Sequence, residues 1–170
     1  MNNLLVTLFI ALNLIAFSVE AEQPLPPTIE ALSPIDSRYL DNQRDRVEQL
    51  FVQYFAKNIR GDDSDLTTLQ QLIDRRIVRR DDTLMNQALG IILGDRLAAR
   101  LNMKWVTYSD AYGRSRALQL GHSEYFLFPV TMVSRRTDAG ITPRIDTLYN
   151  NAIKIMQPKI DQNPYYKPVY

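Results

Sequence analysis

LNMKWVTYSDAYGRSRALQL, residues 101–120, is the stretch whose reading decides the fold. Before it, apolar side chains recur at steps of three and four: Leu84, Met85, Ala88, Leu89, Ile92, Leu97, Ala98 and Leu101. That spacing predicts a helix over about 82–101, apolar over an arc wide enough to need neighbours on several sides. Asn102 is a residue type that tolerates the left-handed turn ending a helix. From Lys104 the period drops to two. Lys104–Ser109 and Ser115–Leu120 read as strands, and the Asp110 to Arg114 loop between them has an acid to hold a turn and a glycine for positive φ. A helix feeding directly into a hairpin gives an α+β class.

Working outward, Ser33-Pro34 with Asp36 offers an N-cap, a first-turn proline and a capping acid. Tyr39, Leu40, Val47, Leu50, Phe51, Tyr54, Phe55 and Ile59 then share one helical face, which Gly61 closes. A second helix is expected over 65–78. After the hairpin, Tyr125–Phe128 reads as a third strand, Pro129 opens a short helix that Gly140 ends, and a last helix spans 146–156. The expectation is three N-terminal helices, a three-stranded antiparallel meander, and one or two closing helices in a single domain over 33–157. Residues 22–32 read as an extended leader and 158–170 as an extended Pro/Tyr-rich tail.

Leu4 to Phe17 is a nearly unbroken apolar run, too short for a bilayer's core of roughly 30 Å. With Val19 and Ala21 as small residues at the cleavage positions, residues 1–21 read as a signal peptide cut near Ala21. The mature chain would be periplasmic or secreted, with no transmembrane segment. Residues 1–21 hold one charge, Glu20, so 149 of the 170 residues remain, with 20 basic and 18 acidic side chains. That near balance lacks the basic footprint of a nucleic-acid binder. The chain has no cysteine and one histidine, His122. Cysteine- and histidine-based zinc sets are therefore out of reach, and no metal is expected. No phosphate-cradling glycine loop occurs, so no cofactor is expected.

The remaining polar clusters have structural readings. Arg75, Arg76, Arg79 and Arg80 suit the last turns of one helix and Asp81 and Asp82 the start of the next. Asp62, Asp63 and Asp65 lack the spacing of a calcium loop and read as a turn and cap. Gly90 and Gly94 on one helical face allow another backbone to come close. For catalysis, His122 has no serine elbow to work with, and Asp95 and Asp110 are the carboxylate pair nearest to an acid–base arrangement. For binding, the hairpin gathers Trp105, Tyr112, Arg114 and Arg116, residue types that dominate interaction hot spots. Tyr112 and Arg114 are expected to sit at an exposed tip, where truncation leaves folding intact.

From Ala88 to Arg136 the succession Gly94-Asp95, Leu-Asn-Met-Lys-Trp105, Asp110-Ala-Tyr-Gly113 and Phe128-Pro-Val-Thr-Met-Val-Ser-Arg-Arg resembles a bacterial family catalogued as domain of unknown function 3806. The resemblance implies a small bacterial α+β domain and carries over no catalytic residue. Function then rests on the residues themselves. They point to a non-enzymatic periplasmic or secreted binding module for an envelope protein or cell-wall component. The alternatives are a small envelope hydrolase using Asp95 and Asp110, and a periplasmic inhibitor of the immunity type.

Overall fold

The structure, a computed structural model, describes residues 26–162. The expected signal peptide, the expected cleavage near Ala21, and the tail from residue 163 onward lie outside the described residues. Strand β1 (Thr28–Ala31) opens the fold and helices α1 (Pro34–Phe55), α2 (Ser64–Asp74) and α3 (Thr83–Leu101) follow. Then come β2 (Met103–Asp110), β3 (Gly113–Leu120), β4 (Phe126–Leu127), α4 (Pro129–Asp138) and α5 (Ile145–Asp161). This is a mixed α+β fold with a four-stranded antiparallel sheet in the order β1-β2-β3-β4.

The expected three-stranded meander gains a strand, because residues 28–31 of the expected leader pair with Val106–Ser109. All four β1 residues are exposed, so this strand has no buried face to write an apolar alternation into its sequence. Two helix ends also differ. Helix α1 stops at Ala56, which takes the left-handed conformation with φ 52°, five residues before Gly61. Helix α5 runs through Pro158 to Asp161, past the expected end at Met156, since Met156 and Ile160 are both buried one turn apart and hold it on the core.

Local chemistry explains three further helix ends and the hairpin turn. Ser33 Oγ accepts the Asp36 N–H at 3.2 Å and starts α1. Asp82 accepts the Met85 N–H at 3.0 Å and starts α3, and Asn102 ends it with φ 48°. In the hairpin, Asp110 pairs with Gly113 across Ala111 and Tyr112, and Gly113 carries the positive φ, 123°.

Helix α3 is the centre of the molecule, touching α1, α2, α4, α5, β2 and β3. Leu89, Ile91, Leu93 and Leu97 are fully buried, although Leu84 at its start is exposed. A Cβ on Gly90 would lie 2.4 Å from the Pro129 carbonyl oxygen, and one on Gly94 would lie 2.5 Å from the Trp105 ring. The two glycines therefore seat both the first turn of α4 and the base of β2. This fixes α4 beside the sheet.

Candidate functional site

From Gly113 to Ala117 the outer edge of β3 has no strand partner among the described residues. Strand β4 pairs only at Leu118↔Leu127 and Gln119↔Phe126, and the chain then turns into α4. Between the free edge of β3 and the first turns of α4 lies a cleft of about 590 Å³. Residues Gly113 to Arg116 wall one side, Phe128 to Arg135 the other, and Tyr39 and Gln87 reach in from α1 and α3. Tyr108, which also lines the cleft, packs edge-on against Phe126 and Phe128 at 5.0 and 5.3 Å.

The charges of the cleft are organised from α1. Asp36, placed in the first turn by the Ser33 cap, is only 1% exposed. Arg114 donates to its Oδ2 at 2.5 Å, and Arg116 sits 2.9 Å from its Oδ1 as an ion pair. Ser33 Oγ donates to Oδ2 at 2.5 Å, and Thr107 Oγ1 lies 3.4 Å from it. Burial pushes the Asp36 carboxyl up, but the Ser33 hydrogen bond and the two guanidiniums outweigh it and hold it below the ordinary carboxylate range. The Arg116 guanidinium lies 3.9 Å from the Tyr39 ring centroid, a cation–π contact. Its Nε is buried without a hydrogen-bond partner among the described residues. Arg114 keeps half its side chain exposed despite the pairing, and Arg135 is exposed on the opposite wall.

Of the residues expected to bind, Tyr112, Arg114 and Arg116 line this cleft. Tyr112 is 99% exposed on its rim. Trp105 is elsewhere. Its ring lies against Gly94, and its Nε1 donates to Asp95 Oδ1 at 2.8 Å, so it serves packing at the base of the hairpin. Arg114 is not a free tip residue, since it is ion-paired to the buried Asp36.

The carboxylate pair Asp95 and Asp110 is not assembled. Asp95 accepts both Nε and an Nη of Arg44 at 2.8 Å, in addition to the Trp105 N–H. Its hydrogen bonds push the Arg44 guanidinium up. Asp110 is exposed at the far end of the strand, where Oδ1 accepts the Tyr112 N–H at 2.9 Å. Trp105 and Asp110 are five positions apart, an odd number, so the strand turns them to opposite faces. His122 is exposed in the β3–β4 loop.

The arginine run also moves. Helix α2 ends at Asp74 and Arg75 caps it, so Arg76, Arg79 and Arg80 lie in a loop and not in the last turns of a helix. Arg76 has φ 56°. A second cavity of about 610 Å³ adjoins this loop, and two of the three arginines that line it, Arg79 and Arg80, are committed. Arg79 makes a two-pronged pair with Asp81, and Arg80 donates to the Gly140 carbonyl and Thr142 Oγ1, both at 3.1 Å. Among the three acids near residue 62, Asp65 is buried, where it accepts the Arg60 and Gly61 N–H groups at 3.0 and 2.7 Å. Among the described residues no group of three or more acidic, histidine or cysteine side chains could hold a metal ion. Nor is any described helix long and apolar enough to cross a membrane.

The family description DUF3806, a domain of unknown function, matches residues 65–149. The chain belongs to this family. The matched span of the DUF3806 chain contains both walls of the cleft, β3 and α4, whereas Asp36 and Tyr39 precede it. No curated protein matches the chain. A crystal structure from Bacteroides thetaiotaomicron VPI-5482, at 1.50 Å resolution, is similar with a TM-score of 0.71 and 20% identity over 78% of this chain. At that identity the likeness shows the fold alone. This chain spans 49% of the length of that one.

Sequence reasoning missed Asp36, Tyr39 and Arg135. Asp36 reads as a capping acid and does bond the Ser33 cap, so nothing in its local pattern separates that duty from its hold on the hairpin arginines. Tyr39 and Arg135 join the site only through the packing of α1 and α4.

Proposed function

We propose that this DUF3806 chain is a non-enzymatic binding module of the bacterial periplasm or exterior, and that its ligand is an anionic envelope component held in the cleft between β3 and α4. One observation carries this reading. A buried carboxylate fixes two guanidiniums at the wall of an open, aromatic-lined cleft. Holding the two cations in place beforehand reduces the ordering cost of binding an anion. Planar guanidiniums also suit carboxylate ligands, which they can bind through paired N–H donors. The aromatic rings supply contact area of the kind found at interaction hot spots.

Thermal unfolding with and without polygalacturonate, a muropeptide mixture and polyglutamate tests the reading. A ligand that binds only the folded chain stabilises it by about 2.7 kcal/mol at a hundred times its Kd. At least one probe should therefore raise the Tm by several degrees, and Arg135→Glu should remove the rise. No product should accumulate during incubation. Failure of all three probes to stabilise the protein would count against the reading. Turnover that is lost in Asp110→Asn would make the chain an enzyme.

A further inference from the structure

The cleft wall formed by β3 is a strand edge, and its backbone has a direction. The Leu120 N–H donates to the Tyr125 carbonyl across the β4 side at 3.1 Å. Backbone groups along a strand alternate in direction with period two. The N–H and C=O of Leu118, Arg116 and Arg114 therefore face the same way as those of Leu120. Leu118 meets Leu127 of β4, and the pairing stops there. Arg116 and Arg114 thus present strand groups with no backbone partner among the described residues into the space between β3 and α4, and the free edge from Gly113 to Ala117 is about 17 Å long at about 3.4 Å per residue. An open edge flanked by a helix is the geometry in which an extended peptide adds itself to a sheet.

Resting on the binding reading above, we infer that the cleft takes an extended acidic peptide segment of a partner protein as a fifth strand beside β3. Main-chain hydrogen bonds to Arg114 and Arg116 supply the register. The charges supply the choice of side chain. Three guanidiniums, on Arg114, Arg116 and Arg135, face the cleft, and Asp110 is the one carboxylate among its described lining residues. The buried Asp36 offsets part of this charge but leaves Arg114 half exposed, and Arg135 makes no ion pair among the described residues. Tyr112 at the rim and Tyr108 and Phe128 within it give the alternate side chains of such a strand an aromatic surface. A glycan offers no row of alternating N–H and C=O groups to match this edge, which is why a peptide is favoured.

The test is a selection of random twelve-residue peptides displayed on phage against the full chain, followed by synthesis of an enriched peptide. Enriched sequences should carry Asp or Glu. Methylating every second backbone amide of the synthetic peptide should weaken binding at least tenfold in one register and less than about twofold in the other, because only one set of amides faces the edge. Arg135→Glu should weaken it at least tenfold. Equal loss in both registers, or unchanged affinity in Arg135→Glu, overturns strand addition in this cleft. If no peptide is enriched while polygalacturonate or muropeptides still stabilise the protein, the anion-binding reading survives and the peptide inference falls. If nothing binds, both fall.

Discussion

Two carboxylate–arginine clusters sit on the helix-covered side of the sheet, built from the same ingredients with opposite outcomes. Around Asp95, the Arg44 guanidinium engages both carboxylate oxygens, Trp105 adds an N–H, and Arg44 spends a remaining donor on Asp41 at 2.7 Å. Every strong group has a partner. Around Asp36, two arginines from β3 share one carboxylate, the Arg116 Nε is left without an acceptor, and Oδ1 has no aligned donor. The first cluster ties α1 and α3 to β2. The second ties α1 to β3 but leaves cationic surface beside a cleft. Partly satisfied polar networks are costly, so where one persists in a fold a ligand is a natural candidate to complete it.

Replacing the two acids should separate these roles most sharply at Asp36. Asp36→Asn removes the charge from a carboxylate that is almost wholly buried and faces two guanidiniums. Breaking one side of such a pair costs about 3–5 kcal/mol when both partners are buried. Arg114 is half in solvent, so about 2–4 kcal/mol is expected from chemical denaturation at pH 7. The pH dependence has a definite sign. Asp36 is held below the ordinary carboxylate range in the folded chain, so its contribution is fully present above an unfolded value of about 3.9 and is lost as pH falls further. The stability gap between wild type and Asp36→Asn should stay constant from pH 7 to 5 and narrow below about pH 4. A gap that widens on acidification would show that burial, and not the arginines, governs this group.

Neither cluster is legible in the sequence, and of the elements that carry them only some are. Helix α3 and the hairpin were visible because their apolar periods are set by burial, and a one-residue slip would expose them. Strand β1 was not, because its residues are all exposed and its existence depends on pairing with β2. By residue type Trp105 groups with Tyr112, Arg114 and Arg116, because residue type cannot say which face of the strand, or which end of it, a side chain occupies. Once the register places Trp105 opposite Leu118 and Gly94 opens room for its ring, it belongs to the core. The cleft itself arises from the shortness of β4 and the seat of α4 on Gly90, two features of packing without a local signature.

Asp95→Asn should have a smaller effect of a different kind. Arg44 keeps Asp41, the pair is about one-third exposed, and an asparagine still accepts from Trp105 or Arg44. A loss of about 1–2 kcal/mol is expected, near the value of one charge-assisted hydrogen bond. Affinity for an anionic probe of the cleft should stay within about twofold of wild type, because Asp95 does not line it. If Asp95→Asn destabilises the chain more than Asp36→Asn does, the contrast between a closed and an open cluster is the wrong way round.

The smallest change in stability belongs to Tyr112, and it bears most directly on where the cleft ends. Tyr112 is fully exposed, and the positive φ of the turn falls on Gly113. The Tyr112 N–H that Asp110 accepts is backbone and survives truncation. Tyr112→Ala should therefore alter stability by less than about 0.5 kcal/mol. Binding is another matter, since a rim tyrosine brings a large rigid surface to a ligand at little entropic cost. If the ligand reaches the tip of the hairpin, affinity for the selected acidic peptide should fall about tenfold, or about 1.4 kcal/mol. Unchanged affinity would confine the ligand to the inner cleft between Ser115 and Phe128. A loss of more than about 1 kcal/mol in stability would mean instead that Tyr112 packs on the fold, and the hairpin tip would then be scaffold.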